Sequence, residues 1–309
     1  FLGMGGMHGS YASNMALTEC DLLINLGSRF DDRLASKPDA FAPNAKIVHV
    51  DIDPSEINKV IQTDLGIVAD CKLVLEALSS ENVTTAHHEE WIHYCKQNKQ
   101  KHPFKYDKNE DDTFSKPQKA IEYIGKITNG DAIVTTDVGQ HQMWAAQFYP
   151  FKDHGQWVTS DGLGTMGFGI PSAIGAQLAS PDKTVVCFVG DGGFQMTNQE
   201  MALLPEYNLN VKIVLINNGT LGMVKQWQDK FFNQRFSHSV FNDQPDFIKM
   251  AEAYGINGYL IDSSDKLESQ IDAAFNHNGP ALIEVRISPV EPVNPMVPSG
   301  KSNHEMEGL

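Results

Sequence analysis

Six short, almost uninterrupted apolar runs constrain the fold of this chain more than any other feature of its sequence. Strands that alternate apolar and polar residues bury one face, whereas unbroken apolar strands are buried on both faces and are typical of parallel sheets. The six runs are Asp21–Gly27, Lys46–Val50, Ala132–Thr136, Thr184–Val189, Val211–Ile216 and Ala281–Ile287. The sequence therefore predicts an α/β chain with parallel β-sheets.

Segments with a helical pattern separate the apolar runs, and this alternation is typical of doubly wound sheets. The predicted helices are Pro54–Ile61, Asp70–Leu78, Gln118–Ile127, Gln140–Phe148, Phe168–Leu178, Asn198–Tyr207, Met223–Phe232 and Leu267–Phe275. Residues 83–116 are more polar, which predicts a linker with one surface helix near Glu89–Lys99. We therefore expect two doubly wound parallel-sheet domains, at residues 1–82 and 117–309, on either side of this linker.

Composition and charge argue against several classes of protein. The chain has 309 residues, of which 41% are hydrophobic and 20% are charged, so sizeable cores can form. Its formal net charge of -15 and its pI near 5.1 argue against nucleic-acid binding, which requires a basic surface. No apolar run approaches the roughly 20 residues that span a bilayer, so no membrane association is expected.

Cysteine and histidine spacing gives no sign of a metal cluster. No CxxC pair occurs among the four cysteines, which are Cys20, Cys71, Cys95 and Cys187. Their spacing also argues against a disulfide framework and favours a reducing cytoplasm. Three linker histidines are expected on a solvated surface: His87, His88 and His93. No basic segment precedes a hydrophobic one at the start, so no signal peptide is expected. The chain opens at Phe1 and not at Met, in a loop-like stretch, so we expect the natural protein to extend upstream.

A glycine-rich segment follows the apolar run Thr184–Val189. It reads Gly190-Asp191-Gly192-Gly193 and precedes an expected helix. Glycines allow a sharp turn and a close approach of the backbone to a ligand, and a helix N-terminus attracts phosphate. Asp191 stands where it can bind a hard cation that bridges to that phosphate. A simple strand-to-helix packing turn with an incidental aspartate is the alternative.

The next strand strengthens the phosphate hypothesis. It delivers Asn217-Asn218-Gly219-Thr220 to the same sheet edge, with 24 residues, 193–216, between Gly192 and Asn217. Six oxygen ligands suited to Mg²⁺ can then be counted. They come from Asp191, the Asn218 amide, the Thr220 carbonyl, two diphosphate oxygens and a water. The chain contains no Walker motif, which disfavours a nucleoside triphosphatase.

The first domain carries a separate signal for an anionic dinucleotide. A glycine-rich turn, residues 5–9, precedes a helix, and Arg29, Asp31 and Arg33 follow the strand that ends at Gly27. The next strand ends in the acidic stretch 51–53, whose carboxylates can accept hydrogen bonds from ribose or ribityl hydroxyls. The arginines suit an anionic ligand. A surface cluster of ion pairs is the alternative. The same residues are also compatible with a nicotinamide dehydrogenase or with a non-catalytic module that binds a dinucleotide.

Several motifs together resemble the acetohydroxyacid synthase family, also called acetolactate synthase, within the enzymes that use thiamine diphosphate (ThDP). GDG-x24-NN is similar to the ThDP-binding motif of the pyruvate decarboxylase–like superfamily. The other motifs are GMHG (6–9), GSRFDDR (27–33), HVDIDPSEI (49–57), VGQHQMWAAQ (138–147), SDGLGTMGFGIPSAIGA (160–176), LGMVKQWQ (221–228) and PMVPSG (295–300). The resemblance covers nearly the whole chain and is weakest in the linker.

The resemblance implies a role for individual residues. The residues expected to contact ThDP are Gln140, Gly164, Met166, Asp191, Gly192, Gly193, Asn218, Thr220, Gly222 and Met223. The metal ligands are expected to be Asp191, Asn218 and Thr220, and the substrate pocket Trp227, Met223 and Ser299. The residues expected to contact FAD are Gly6, Met7, His8, Gly27, Arg29, Asp31, Arg33, Asp51, Ile52, Glu56 and Asp70. Residues 1–82 would form the second part of an FAD-contacting middle domain, and 117–309 the ThDP diphosphate domain.

The resemblance also implies a reaction, in which pyruvate condenses with pyruvate or 2-ketobutyrate and CO2 is lost. The products are 2-acetolactate and 2-aceto-2-hydroxybutyrate, which belong to branched-chain amino acid biosynthesis. The family's activating glutamate matches no residue here and is expected upstream. Expected partners are a second copy of the chain, in a homodimer or homotetramer, and a regulatory small subunit. Pyruvate oxidase, glyoxylate carboligase and an inactive fragment are the alternatives.

Overall fold

The computed structural model describes residues 1–81, 87–108 and 113–309. The chain forms two compact units. The first contains Phe1–Lys105 together with Asn294–Leu309, and the second contains Tyr106–Val293. The domain boundaries expected from the sequence, at residues 82 and 117, stay predictions. In the described part of the chain, no helix is both long enough and apolar enough to cross a membrane.

A parallel three-stranded sheet forms the centre of the first unit. Its elements are α1 (Tyr11–Glu19), β1 (Leu22–Leu26), β2 (Lys46–Asp51), β3 (Leu65–Val68), α2 (Cys71–Ser80) and α3 (Glu89–Lys101), with a 3-10 turn at Pro38–Ala40. The strand order is β1-β2-β3. Asp70 caps α2 as predicted, because its side chain accepts a hydrogen bond from Lys72 N at 2.7 Å.

The helix predicted at Pro54–Ile61 is wrong. These residues form turns, and Asn58 has a left-handed backbone with φ of 61°. The Asn58 side chain accepts hydrogen bonds from Thr63 N at 2.8 Å and Thr63 Oγ1 at 2.9 Å. An asparagine that bonds to nearby backbone in this way favours a turn over a helix. The histidines of the linker are exposed, as expected.

A larger parallel sheet forms the centre of the second unit. Its strands are β4 (Ile133–Thr136), β5 (Trp157–Val158), β6 (Val185–Gly190), β7 (Val211–Asn217), β8 (Asn257–Ile261) and β9 (Ala281–Arg286). Its helices are α4 (Pro117–Ile127), α5 (Gln140–Phe148), α6 (Gly169–Ala179), α7 (Asp191–Thr197), α8 (Leu203–Glu206), α9 (Gly222–Phe231), α10 (Phe247–Ala253) and α11 (Leu267–Asn276). The strand order is β5-β4-β6-β7-β9-β8, with every pair parallel.

The prediction of two parallel-sheet units is confirmed, and a second predicted helix is corrected. In place of a helix over Asn198–Tyr207, a 3-10 turn at Asn198–Ala202 leads into the four-residue α8. Pro205 lies inside this stretch, and proline lacks the N–H that a continuous α-helix would need there.

The centre of the large sheet brings the loops of interest together. Every residue of β6 is buried, and β6 lies between β4 and β7. Thr136 pairs with Phe188, and Gly190 pairs with Ile216. The strands β4, β6 and β7 therefore end at nearly the same level. The residues that follow them therefore meet at one edge of the sheet.

Candidate functional site

A cleft of about 450 Å³, including the part open to solvent, lies at the carboxyl ends of β4, β6 and β7. Nine of the ten residues predicted to contact ThDP line it: Gln140, Met166, Asp191, Gly192, Gly193, Asn218, Thr220, Gly222 and Met223. Gly164 is outside this lining and has a left-handed backbone with φ of 64°. The second unit thus brings together residues that are up to 83 positions apart, Gln140 and Met223.

Asp191 is the first residue of α7 and is almost fully buried. Its Oδ1 accepts a hydrogen bond from Gly192 N at 2.9 Å, and its Oδ2 accepts one from Gln244 Nε2 at 2.8 Å. Burial raises the pKa of the Asp191 carboxyl to about 6, although hydrogen bonds from Gln244 and from backbone N–H groups oppose the rise. A carboxylate that is costly to ionise in this way gains from a bound cation.

Asn218 and Thr220 form a tight turn directly after β7. The Asn218 Oδ1 accepts hydrogen bonds from Thr220 N and from Thr220 Oγ1, both at 3.0 Å. Among the residues that the structure describes, no group of three or more His, Cys, Asp and Glu side chains is suited to a metal ion. The predicted set differs in kind, because it combines one carboxylate with an amide and a carbonyl oxygen. Such sets suit Mg²⁺, which keeps waters and phosphate oxygens as its other ligands.

Three positions of the cleft lining require glycine. A Cβ at Gly222 would collide with Gln140 Oε1, and a Cβ at Gly193 would collide with Asp137 Oδ1. A Cβ at Gly192 would lie 2.6 Å from the side chain of Leu221. No side chain fits at these positions, so the backbone there stays uncovered by a side chain of its own.

Asp137, which the sequence reasoning missed, follows β4 and organises the loop before α6. Its Oδ1 accepts a hydrogen bond from Val138 N at 2.8 Å, and its Oδ2 accepts from Gly167 N at 2.8 Å and Gly169 N at 3.1 Å. These bonds hold the loop that carries Met166. The signal in the sequence was an aspartate directly after the apolar run Ala132–Thr136, as at Asp191 after β6.

His141 was also missed, although it lines the cleft beside Gln140. Its ring lies against the backbone of Gly190, where an added Cβ would come within 2.8 Å of Nδ1. Burial lowers the pKa of His141 to about 4, with Asp137 acting in the opposite direction. Its Nε2 is buried and has no hydrogen-bond partner among the described residues. A buried polar atom with no partner, at the wall of a cleft, is where a ligand group fits.

The residues predicted for the substrate pocket lie in both units. Met223 lines the cleft, and Trp227 is one turn further along α9, where its ring contacts Phe231 edge to face at 5.7 Å. Ser299 is exposed and belongs to the first unit. The predicted pocket thus has Met223 and Trp227 on one helix face, while Ser299 is in the other unit.

The predicted FAD residues lie in the first unit, at its turns and strand ends. Met7 N donates to Arg33 O at 2.7 Å, so the glycine-rich turn lies beside the arginine segment. Gly27 N donates to Val50 O at 2.8 Å, which places the ends of β1 and β2 side by side. Arg29 pairs with Asp31 at 3.2 Å on the surface. Of the remaining predicted residues, His8 and Asp51 are buried and Ile52 is exposed. Gly6 has a φ of 96°, Glu56 pairs with Lys59, and Asp70 caps α2.

Comparison with known protein families agrees with this geometry. Residues 137–285 match the family described as thiamine pyrophosphate enzyme, C-terminal TPP binding domain, and residues 1–78 match the central domain of the same enzymes. The chain belongs to the thiamine pyrophosphate enzymes. Thiamine pyrophosphate is another name for ThDP, so the family identified from the sequence motifs is confirmed.

Among individual proteins, the chain is similar to acetolactate synthase large subunits. It is 53% identical over 308 residues to that of Lactococcus lactis subsp. lactis, covering 100% of this chain and 53% of the relative. It is 44% identical over 306 residues to the isozyme 2 large subunit of Escherichia coli, covering 99% and 55%. It is also 44% identical over 316 residues to the large subunit of Cyanidium caldarium, covering 100% and 53%. The chain therefore spans about half the length of these relatives.

Proposed function

We propose that the cleft of the second unit holds the diphosphate of ThDP through Mg²⁺. The observation that supports this most is the meeting of Asp191, Asn218 and Thr220 beside the open backbone of Gly192 and Gly222. The buried, unpartnered Nε2 of His141 belongs to a residue that lines the same cleft. The oxygen atoms of Asp191, Asn218 and Thr220 suit a cation. The backbone N–H groups beside them suit an anionic group such as a diphosphate.

When bound, ThDP supplies the electron sink for decarboxylation and carbon–carbon bond formation. The residues of this chain would bind and orient it. Asp191, Asn218 and Thr220 would hold Mg²⁺, Gly192, Gly193 and Gly222 would leave room for the diphosphate, and Met166 would pack against the cofactor. Gln140, Gly164 and Met223 are proposed as further contacts. The substrate pocket is proposed to include Trp227 and Ser299.

For the natural protein we propose acetolactate synthase activity. Pyruvate condenses with pyruvate or 2-ketobutyrate and CO2 is lost, which gives 2-acetolactate or 2-aceto-2-hydroxybutyrate for branched-chain amino acid biosynthesis. The identities of 53% and 44% to acetolactate synthases support this and disfavour pyruvate oxidase and glyoxylate carboligase. An acetolactate assay with ThDP, Mg²⁺ and FAD omitted one at a time tests the proposal. Unchanged activity without ThDP, or oxygen uptake with pyruvate in place of acetolactate, would contradict it.

FAD is proposed as a second cofactor, bound by the first unit. The glycine-rich turn beside Arg33, with Arg29 and Asp51 at neighbouring strand ends, supports an anionic ligand that also carries hydroxyls. FAD would have a structural part, since the net reaction transfers no electrons. Equilibrium dialysis against FAD tests this with Arg33→Ala. The matched control is Lys46→Ala, because Lys46 is exposed at the start of β2 and therefore at the opposite edge of the sheet. Equal FAD retention by both variants would argue against the proposed contact.

Assembly is proposed by analogy with the relatives. Those relatives are named large subunits, which supports a regulatory small subunit as a partner. A homodimer or homotetramer is likewise proposed, and sedimentation equilibrium with and without such a subunit would test both. The cytoplasmic location stays a prediction.

A further inference from the structure

Side-chain amides connect Asn218 to the backbone of Val293 inside the second unit. Asn218 Nδ2 donates to Gln140 Oε1 at 3.0 Å, and Gln140 Nε2 donates to Gln226 Oε1 at 2.8 Å. Gln226 Nε2 donates to Val293 O at 3.2 Å, while Val293 N donates to Gln226 Oε1 at 3.0 Å. Gln226 and Gln140 are 7% and 5% exposed, so water competes little for these bonds. We call Asn218, Gln140, Gln226 and Val293 the amide relay.

The backbone of Val293 decides which way the relay points. The oxygen and nitrogen of a side-chain amide have almost the same shape, so hydrogen-bond partners decide its orientation. A backbone N–H can only donate and a backbone carbonyl can only accept, which fixes Gln226. Gln140 must then turn its Nε2 toward Gln226, where it also donates to Glu291 O at 3.1 Å. Its Oε1 is left to face Asn218.

The orientation of Asn218 follows from that of Gln140. With Nδ2 directed to Gln140, Oδ1 points to the Thr220 turn, where Thr220 N and Oγ1 donate to it. Oδ1 is the atom that can bind a cation, whereas the Nδ2 hydrogens would repel one. The relay bonds Nδ2 and Thr220 bonds Oδ1, so both fix the same orientation of the Asn218 amide.

We infer that Gln226 is a positioning residue that keeps the Asn218 amide oxygen directed at the cation. It acts through Gln140 and does not itself line the cleft. This inference rests on the proposed Mg²⁺–ThDP site and adds to it a residue on α9 with no direct contact to the metal.

The first test replaces Gln226 by leucine, which has a similar volume and no polar group. We expect Gln226→Leu to lower the Mg²⁺ affinity of the ThDP-saturated chain about tenfold, the lower end of what partners of metal ligands contribute. The measurement is a calorimetric titration of Mg²⁺ in excess ThDP, with circular dichroism to show that the fold is kept. Gln142→Leu is the matched control, because Gln142 donates to Thr159 Oγ1 and lies outside the relay and the cleft lining.

The second test separates orientation from general packing. Asn218→Asp provides two equivalent acceptor oxygens, so the cation no longer depends on how the side chain is turned. In this background Gln140 Oε1 faces a carboxylate oxygen, and Gln226→Leu frees Gln140 to turn and donate to it. The second substitution is therefore expected to leave the Mg²⁺ affinity unchanged or to raise it. A packing role would lower the affinity equally in both backgrounds, as a double-mutant cycle reveals.

The outcomes distinguish the two proposals. If the unmodified chain binds Mg²⁺ and ThDP and Gln226→Leu binds them equally well, the positioning role is wrong while the cofactor site stands. Equal losses from Gln226→Leu with and without the Asn218→Asp substitution would also overturn it. If the unmodified chain shows no Mg²⁺-dependent ThDP binding, both proposals fail. Should Gln226→Leu not fold, Gln226→Met keeps an unbranched shape and replaces it in the same titrations.

Discussion

Two buried aspartates that follow adjacent strands differ in what surrounds them. Asp137 accepts three backbone N–H hydrogen bonds, so its charge is well solvated by the protein. Asp191 accepts a backbone bond from Gly192 and a side-chain bond from Gln244, and burial raises its pKa to about 6. The first carboxylate stabilises a loop, whereas the second is held ready for a cation at a cost in stability.

Replacing Asp191 by asparagine should therefore stabilise the metal-free protein. The folded-state pKa lies above the ordinary value of 3.8, so the native state binds more protons between pH 4 and pH 6, and ionisation destabilises it above that range. At neutral pH we expect Asp191→Asn to gain on the order of 2 kcal/mol in denaturant unfolding, while Mg²⁺ affinity is lost. Gln244 can turn its amide to preserve its hydrogen bond. A lower unfolding free energy would contradict this account.

Asp137→Asn should have the opposite effect. An asparagine can accept at one atom only, so at least one of the three backbone N–H groups faces another donor. We expect a loss of about 2 kcal/mol in the same unfolding experiment. Equal effects of the two substitutions would show that the two carboxylates are not distinguished by their surroundings.

Lys212 predicts a pH dependence of stability. It lies on β7, and its Nζ donates to His277 O at 2.8 Å and Gly279 O at 2.7 Å, while burial lowers its pKa to about 8. Between pH 8 and 10.5 the unfolded chain keeps this proton and the native chain loses it, so stability from this group rises with pH. Across that pH window, the unfolding free energy of the unmodified chain should rise relative to that of Lys212→Met. A constant difference would contradict the assignment.

At the scale of the elements, α9 requires glycine at its first residue, Gly222. Gly222→Ala would drive a Cβ into Gln140 Oε1 and to 2.6 Å from Asn218 Nδ2, which disturbs the cation ligand. We expect Mg²⁺–ThDP affinity to fall at least tenfold by calorimetry. Gly175→Ala in α6 is the matched control, since nothing lies within 4 Å of its added Cβ. It should leave binding unchanged and stabilise the helix by about 0.5–1 kcal/mol.

The same elements show which features the sequence predicts. The strands β6 and β7 were found because they are buried on both faces, whereas the edge strands β5 and β8 are only partly buried and lack an unbroken apolar run. Asp191 and Asn218 were found because parallel strands end at one edge. Gln226 and Gln244 were missed as site residues because their partners Gln140 and Asp191 lie 86 and 53 residues away. Such hydrogen bonds depend on how loops and helices pack together, and a local sequence pattern does not predict that packing.

At the scale of the whole molecule, binding and activity are expected to separate. The chain spans about half the length of its relatives, and the activating glutamate of the family is expected outside these residues. We therefore expect the 309-residue chain by itself to bind ThDP with Mg²⁺ and to form no 2-acetolactate from pyruvate. A colorimetric acetolactate assay on the purified chain checks this. Product formation would show that the activating group is present in these residues.

Mg²⁺-dependent binding of ThDP to this chain tests the central claim most directly. The measurement is a calorimetric titration of ThDP with Mg²⁺ present and again with the metal chelated, on the unmodified chain and on Asp191→Asn. We predict saturable binding that requires Mg²⁺ and is lost in Asp191→Asn. No binding, or binding that neither the metal nor Asp191 affects, would contradict the proposed site.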